Sequence, residues 1–154
     1  MASRIFAFWT LLVAVIVGVL AGALFWGYRT SDTAVFGDVS LTLEYATTTA
    51  ARELGLGGRM NVPEGYGMLF VFPKSGRYGF WMKDMQVPID IFWLDTQGRV
   101  ISISEQVATS SYPDVFYPAA PAQYVLETAA GFAKAHGIAT GTPLQLKDFP
   151  SVSK

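Results

Sequence analysis

Residues 67–95 read GMLFVFPKSGRYGFWMKDMQVPIDIFWLD, three strand-like apolar runs with Lys83, Asp84 and Asp90 set among aromatics. In the first run a two-residue period puts Met68, Phe70 and Phe72 on one face and Leu69 and Val71 on the other. Both faces are apolar, so the strand is expected to be buried on both sides. Pro73-Lys74-Ser75-Gly76-Arg77 is turn chemistry and predicts a hairpin into a second strand over 78–83. The third run, 89–95, places Ile89, Ile91, Trp93 and Asp95 on one face and Asp90, Phe92 and Leu94 on the other. Asp90 is therefore a carboxylate on an otherwise apolar strand face.

On the N-terminal side of this stretch, residues 39–45 alternate as a first strand, with Val39, Leu41, Leu43 and Tyr45 sharing a face. Thr47-Thr48-Thr49 offers N-caps for a short helix over 50–54, ended by the glycines at 55, 57 and 58, or else extends the strand. On the C-terminal side, Thr96-Gln97-Gly98 reads as a turn and 99–104 as a return strand. Residues 106–120, rich in Ser, Pro and Tyr, form a long loop of the kind that is often functional or mobile. A strand over 122–127 then feeds a helix with Thr128 as N-cap and His136 at its end, with Gly137 in the left-handed cap position and Ile138 making the apolar contact of a Schellman ending. Gly141-Thr142-Pro143 turns into a last strand over 144–146, and 148–154 is a frayed tail. The fold class that follows is β-rich α+β, a small barrel-like antiparallel sheet with one or two short helices.

Residues 5–28 are a separate object: 24 residues without a charge, between Arg4 and Arg29. As a helix they cover roughly 36 Å, enough for a hydrocarbon core of about 30 Å. The expectation is a single transmembrane anchor over 1–30, a linker over 31–38 and a domain over 39–147. A cleaved signal peptide is the alternative, because Ala21-Gly22-Ala23 resembles a cleavage site. A thin charge difference, Arg4 and the α-amino group before the segment against Arg29 followed by Asp32 and Asp38 after it, favours a cytoplasmic N-terminus and an extracytoplasmic domain. Without Arg4 and Arg29, nine basic residues face twelve acidic ones with no basic stripe, which argues against nucleic-acid binding. The chain has no cysteine, which is compatible with an oxidising compartment.

Met68-Leu69-Phe70-Val71-Phe72 after Gly67, Phe80-Trp81-Met82-Lys83, Pro88-Ile89-Asp90-Ile91, and Ala120-Pro121-Ala122 followed by Tyr124-Val125-Leu126-Glu127 resemble, in this order, the domain-of-unknown-function 192 family. The resemblance covers roughly 39–147. It implies a small barrel-like β-rich domain with short helices, often exported or membrane-anchored, and it implies no activity. The family's Trp-Met-Lys usually continues with Asn-Thr, where Asp84-Met85 stands here, and its terminal Gly-Asp is Gly141-Thr142. A shared site built on either position would be altered in this chain.

The residues that carry chemistry are Trp81, Lys83, Asp84, Asp90 and Glu127, with Arg77 nearby. A charged group on an apolar strand face must be paired or face a cavity, because burying it alone costs several kcal/mol. Two readings stay open: Lys83 and Asp90 form a structural ion pair, or Asp90 accepts backbone N–H bonds near Pro88, against a polar cleft near Lys83 and Asp90, beneath the 106–120 loop, that binds a small ligand or an envelope partner. An envelope hydrolase using Asp84 or Asp90 with Glu127 is the enzymatic alternative, and a scaffold role is the structural one. His136 is the one histidine, and no nucleophile elbow accompanies it. With no cysteine, a zinc site would rest mostly on carboxylates. The sequence asks for no metal or cofactor.

Overall fold

Two-sided burial is what the central strands of this protein require, and the computed structural model, which describes residues 31–152, meets the requirement with a sheet covered on both faces. The elements in chain order are β1 (Ser31–Phe36), β2 (Val39–Ala46), α1 (Thr49–Leu54), β3 (Tyr66–Gly76), β4 (Ile89–Leu94), β5 (Val100–Val107), a 3-10 turn (Thr109–Ser111), β6 (Ala122–Ala129), α2 (Phe132–Ala135) and β7 (Leu144–Gln145). They form one seven-stranded sheet in the order β5-β4-β6-β3-β2-β1-β7. The sheet curls into a half-barrel. Its two edges meet where Leu144 N donates to Gly98 O (2.8 Å) and Val100 N to Thr142 O (3.0 Å).

A curled sheet brings side chains from both edges together on its concave side only. That inner core holds Phe36, Leu41, Leu69, Phe92, Leu126 and Leu144, plugged by Phe132 and Ile138. Phe36 packs edge-on to Phe92 at 5.1 Å and stacks with Phe132 at 6.1 Å. The outer face carries a second core of Met68, Phe70, Ile91, Trp93 and Val125, covered by Phe80, Met82 and Met85 from the segment 77–88 and by Leu56 and Val62 from the loop after α1. All six residues of β4 are buried, so its apolar character on both faces has a direct cause.

Five expectations need correction. The 73–77 turn does not start a hairpin: β3 runs on to Gly76, pairs β2 in parallel and β6 antiparallel, and leaves no free edge for a neighbour. Residues 77–88 instead cross the outer face as a strap, holding one bridge from Phe80 to Phe116 and accepting a bond from Trp93 Nε1 at Tyr78 O (3.0 Å). The sheet is thus mixed, not purely antiparallel. The expected linker contains β1, paired with β2 from Ser31↔Glu44 to Phe36↔Val39, because Ala34 and Phe36 alternate into the inner core. Thr128 does not cap a helix; it lies within β6, opposite Asp90 and Gly67, and α2 is a single turn. The expected frayed tail packs on the domain, with the Phe149 ring 4.7 Å from that of Tyr124.

Other local readings hold. Thr48 Oγ1 accepts from Ala51 N at 3.1 Å and caps α1. Gly137, at φ 63°, lets Ile138 N reach Ala133 O at 2.9 Å, the six-to-one bond of a Schellman ending, with Ile138 buried. Gly98 takes its turn at φ 75°. Among the described residues no helix is long and apolar enough to cross a membrane, and the anchor expected over 5–28 lies outside them.

Candidate functional site

Three backbone N–H groups converge on the Asp90 carboxylate. Its Oδ1 accepts from Gln106 N (2.7 Å) and Gly131 N (3.0 Å), and its Oδ2 from Ala133 N (2.8 Å). The Gln106 donor exists because β5 bulges there: Ile89 pairs Val107 while Ile91 pairs Ser104, and Gln106 turns to φ 49°. The other two donors are the free N–H groups at the start of α2. Asp90 therefore caps that turn from across the fold, the task that sequence spacing gave to Thr128. It is wholly buried on the inner face and forms no ion pair with Lys83.

Lys83 and Trp81 lie on the opposite side of the sheet. Together with α1, the start of the following loop and the outer face of β3 and β6, the strap encloses a cleft of about 240 Å³. Arg52, Glu53 and Leu54 of α1 form one wall, Tyr78, Trp81 and Lys83 of the strap form another, and Phe70 and Glu127 form the floor. Trp81 is 54% exposed and Leu54 67%. The buried Met82 between Trp81 and Lys83 fixes the strap and turns its two neighbours toward solvent.

Glu127 is on the outer face of β6, with Met68 of β3 on one side and Ile91 of β4 on the other. It is buried, and its Oε2 has no hydrogen-bond partner. Burial among apolar neighbours pushes its carboxyl up to about 8, against a smaller pull downward from the Arg59 guanidinium. Arg59 itself is committed elsewhere: Nη2 reaches both Glu44 oxygens (3.0 and 2.9 Å) and Nη1 the Tyr66 hydroxyl (2.8 Å), which in turn donates to Glu44 at 2.6 Å. That cluster raises the Tyr66 phenol well above the usual tyrosine range, through burial and the neighbouring Glu44.

Of the residues singled out in the sequence, the structure brings Trp81, Lys83 and Glu127 together and separates Asp90 from them. Asp84 is exposed at φ 58° and does not line the cleft. Nor does the 106–120 loop, which packs against the strap from another side: Phe116 pairs with Phe80, and Arg77 holds Pro118 O (3.0 Å) and Ala119 O (3.1 Å). Arg52 is a lining residue that sequence reading passed over. Its Nη1 donates to Thr47 O (2.8 Å) and Val71 O (3.0 Å), and its guanidinium sits 5.4 Å from the centre of the Phe72 ring. No local pattern marked it, because the wall it belongs to exists only once α1 packs against the sheet. His136 lies away from the cleft, with Nε2 3.2 Å from Glu64 Oε1. Among the described residues no group of three or more potential ligands gathers for a metal ion.

Two of the solved structures that the chain is similar to bear on its family. One is a Sinorhizobium meliloti 1021 protein described as a candidate transcription regulator, 29% identical, with TM-score 0.68 over 73% of this chain and 89% of that one. The other is a Novosphingobium aromaticivorans protein of unknown function, 25% identical, with TM-score 0.71 over 75% of this chain and 85% of that one. No curated protein matches. The sequence profile of the family described as uncharacterized ACR, DUF192, matches residues 32–146, the whole span from β1 to β7, and the chain belongs to that family.

Proposed function

We propose that the domain is a binding module that takes a small polar ligand in the cleft between α1 and the strap, with Glu127 as the group that recognises it. The observation that carries the reading is the buried, unpartnered Oε2 of Glu127 beside an open cleft. A buried polar atom left unpaired costs about 1–3 kcal/mol, and a ligand group placed on that carboxyl would recover part of the cost. Asp90 supplies the contrast, since three backbone donors account for it without a ligand. The hydrolase alternative is weakened because Asp84 and Asp90, the expected partners of Glu127, do not line the cleft. The transcriptional role in the neighbour's description finds no support here, because acidic residues outnumber basic ones and no basic stripe exists. The uncharged run over 5–28 supports membrane anchoring, with the domain on the extracytoplasmic side.

The test is a panel of sugars, sugar acids, amines, amino acids, nucleosides and aromatic acids titrated into the isotope-labelled chain. Saturable resonance shifts confined to Gly55, Phe70, Trp81 and Lys83 are expected for at least one class. No saturable shift there from any class overturns the reading.

A further inference from the structure

The cleft's size, its floor and the two side chains at its mouth narrow the class of ligand. We infer, building on the binding-module reading, that the occupant is a single-ring hydroxylated carboxylic acid of the sugar-acid type, with a hydroxyl on Glu127, the ring face on Trp81 and the carboxylate on Lys83. At about 240 Å³ the cleft is smaller than the roughly 300–1,000 Å³ of sites for drug-sized ligands. One ring fits that space better than an oligomer.

The floor selects a neutral polar group. Glu127 stands between Met68 and Ile91, where a charged group is expensive, and its carboxyl holds its proton at neutral pH. A protonated carboxyl offers one donor and spare acceptor capacity. A hydroxyl matches both. An ammonium only donates, so it leaves the carboxyl's O–H unmatched, and it brings a positive charge beside Arg52 and Lys83 in the walls and near Arg59, opposed in the cleft lining by Glu53. The mouth selects the rest. Trp81 presents an exposed indole next to polar groups, the arrangement that stacks on the apolar face of a hydroxylated ring. Arg52 is already spent on two carbonyls and the Phe72 ring, whereas Lys83 makes no hydrogen bond or ion pair with any described residue. It is the cation left to meet an acid.

The experiment is calorimetric titration of the full-length chain in nonionic detergent with glucuronate, glucose and glucosamine at neutral pH. Glucuronate should bind saturably and more tightly than glucose, and glucosamine should bind most weakly. Trp81→Ala and Lys83→Met, both at exposed positions, should each weaken glucuronate on the order of tenfold, while the exposed control Lys134→Met leaves it unchanged. Glucosamine binding in preference to glucuronate, glucose binding as tightly as glucuronate, or glucuronate binding indifferent to both substitutions each overturns the inference. If another class of the wider panel occupies the cleft instead, the inference fails and the binding-module reading stands. If nothing in either experiment binds there, both fail.

Discussion

Replacing Glu127 by Gln should stabilise this protein, and by an amount that grows with pH. The carboxyl ionises at its ordinary 4.5 in the unfolded chain and only at about 8 in the folded one. Between those values the folded state holds a proton that the unfolded state has released, so raising the pH favours unfolding. The group's contribution is thus fully favourable below its unfolded value, declines through the window from 4.5 to about 8, and stays level above it. At about 1.4 kcal/mol per pH unit, the whole decline is roughly 5 kcal/mol, and the part lying between about pH 5 and pH 9 is roughly 4 kcal/mol. Gln never ionises, keeps the shape, and cancels the other titrating groups when wild type and variant are compared at each pH. Urea unfolding of both proteins, followed by the fluorescence of the buried Trp93 and its neighbours, measures the difference. The variant's advantage should widen by about 4 kcal/mol across that interval. An advantage flat to within about 0.5 kcal/mol would mean that Glu127 is ionised in the fold and paired with Arg59, and the account of the cleft floor would fall.

The other buried carboxylate should behave in the opposite way. Asp90→Asn sets an amide N–H against a backbone donor and should cost about 2–4 kcal/mol in the same unfolding measurement. Combining it with Lys83→Met should add nothing, with a coupling under about 0.5 kcal/mol, because the two groups sit on opposite faces of the sheet; strong coupling would restore the ion pair. Tyr66→Phe removes a hydroxyl that accepts from Arg59 and donates to Glu44, and should cost about 1–2 kcal/mol. Ultraviolet titration should find that phenol still protonated where ordinary tyrosines have ionised, and a normal titration curve for Tyr66 would contradict its place in the cluster.

What could be read from the sequence followed local physics. The two-faced apolar pattern of β3 and β4, the Thr48 cap of α1 and the Gly137-Ile138 ending of α2 each depend on neighbours within a few residues, and each holds. What was missed depends on partners far along the chain. The segment after Gly76 has the alternation of a strand, yet β3 already has β2 on one edge and β6 on the other, so its apolar residues cover the sheet and do not extend it. SDTAVF in β1 looks like a polar linker because only Ala34 and Phe36 point inward. Thr128 and the residues after it carry a helix-start pattern, but Asp90 from another strand already satisfies the N–H groups of that turn. The candidate site was half legible for the same reason: Trp81, Lys83 and Glu127 were visible as residue types, while Arg52 and the wall formed by α1 follow only from the fold.

The two buried carboxylates of this sheet form an internal comparison that argues for the site. Both sit on strands that are apolar on either side, one facing the inner core and the other the outer. Around Asp90 the chain has built a bulge, a positive-φ glutamine and a helix turn that together deliver three N–H donors. Around Glu127 it has built nothing comparable, although Arg59 lies close enough to act on its ionisation and is directed to Glu44 and Tyr66 instead. A buried carboxyl kept only for folding would be expected to acquire such partners or to be exchanged for an apolar residue, since that exchange is often neutral or stabilising. Its retention, unpaired, at the floor of a cleft with an exposed tryptophan and an uncommitted lysine at the mouth is the pattern expected of a group held for something that binds there.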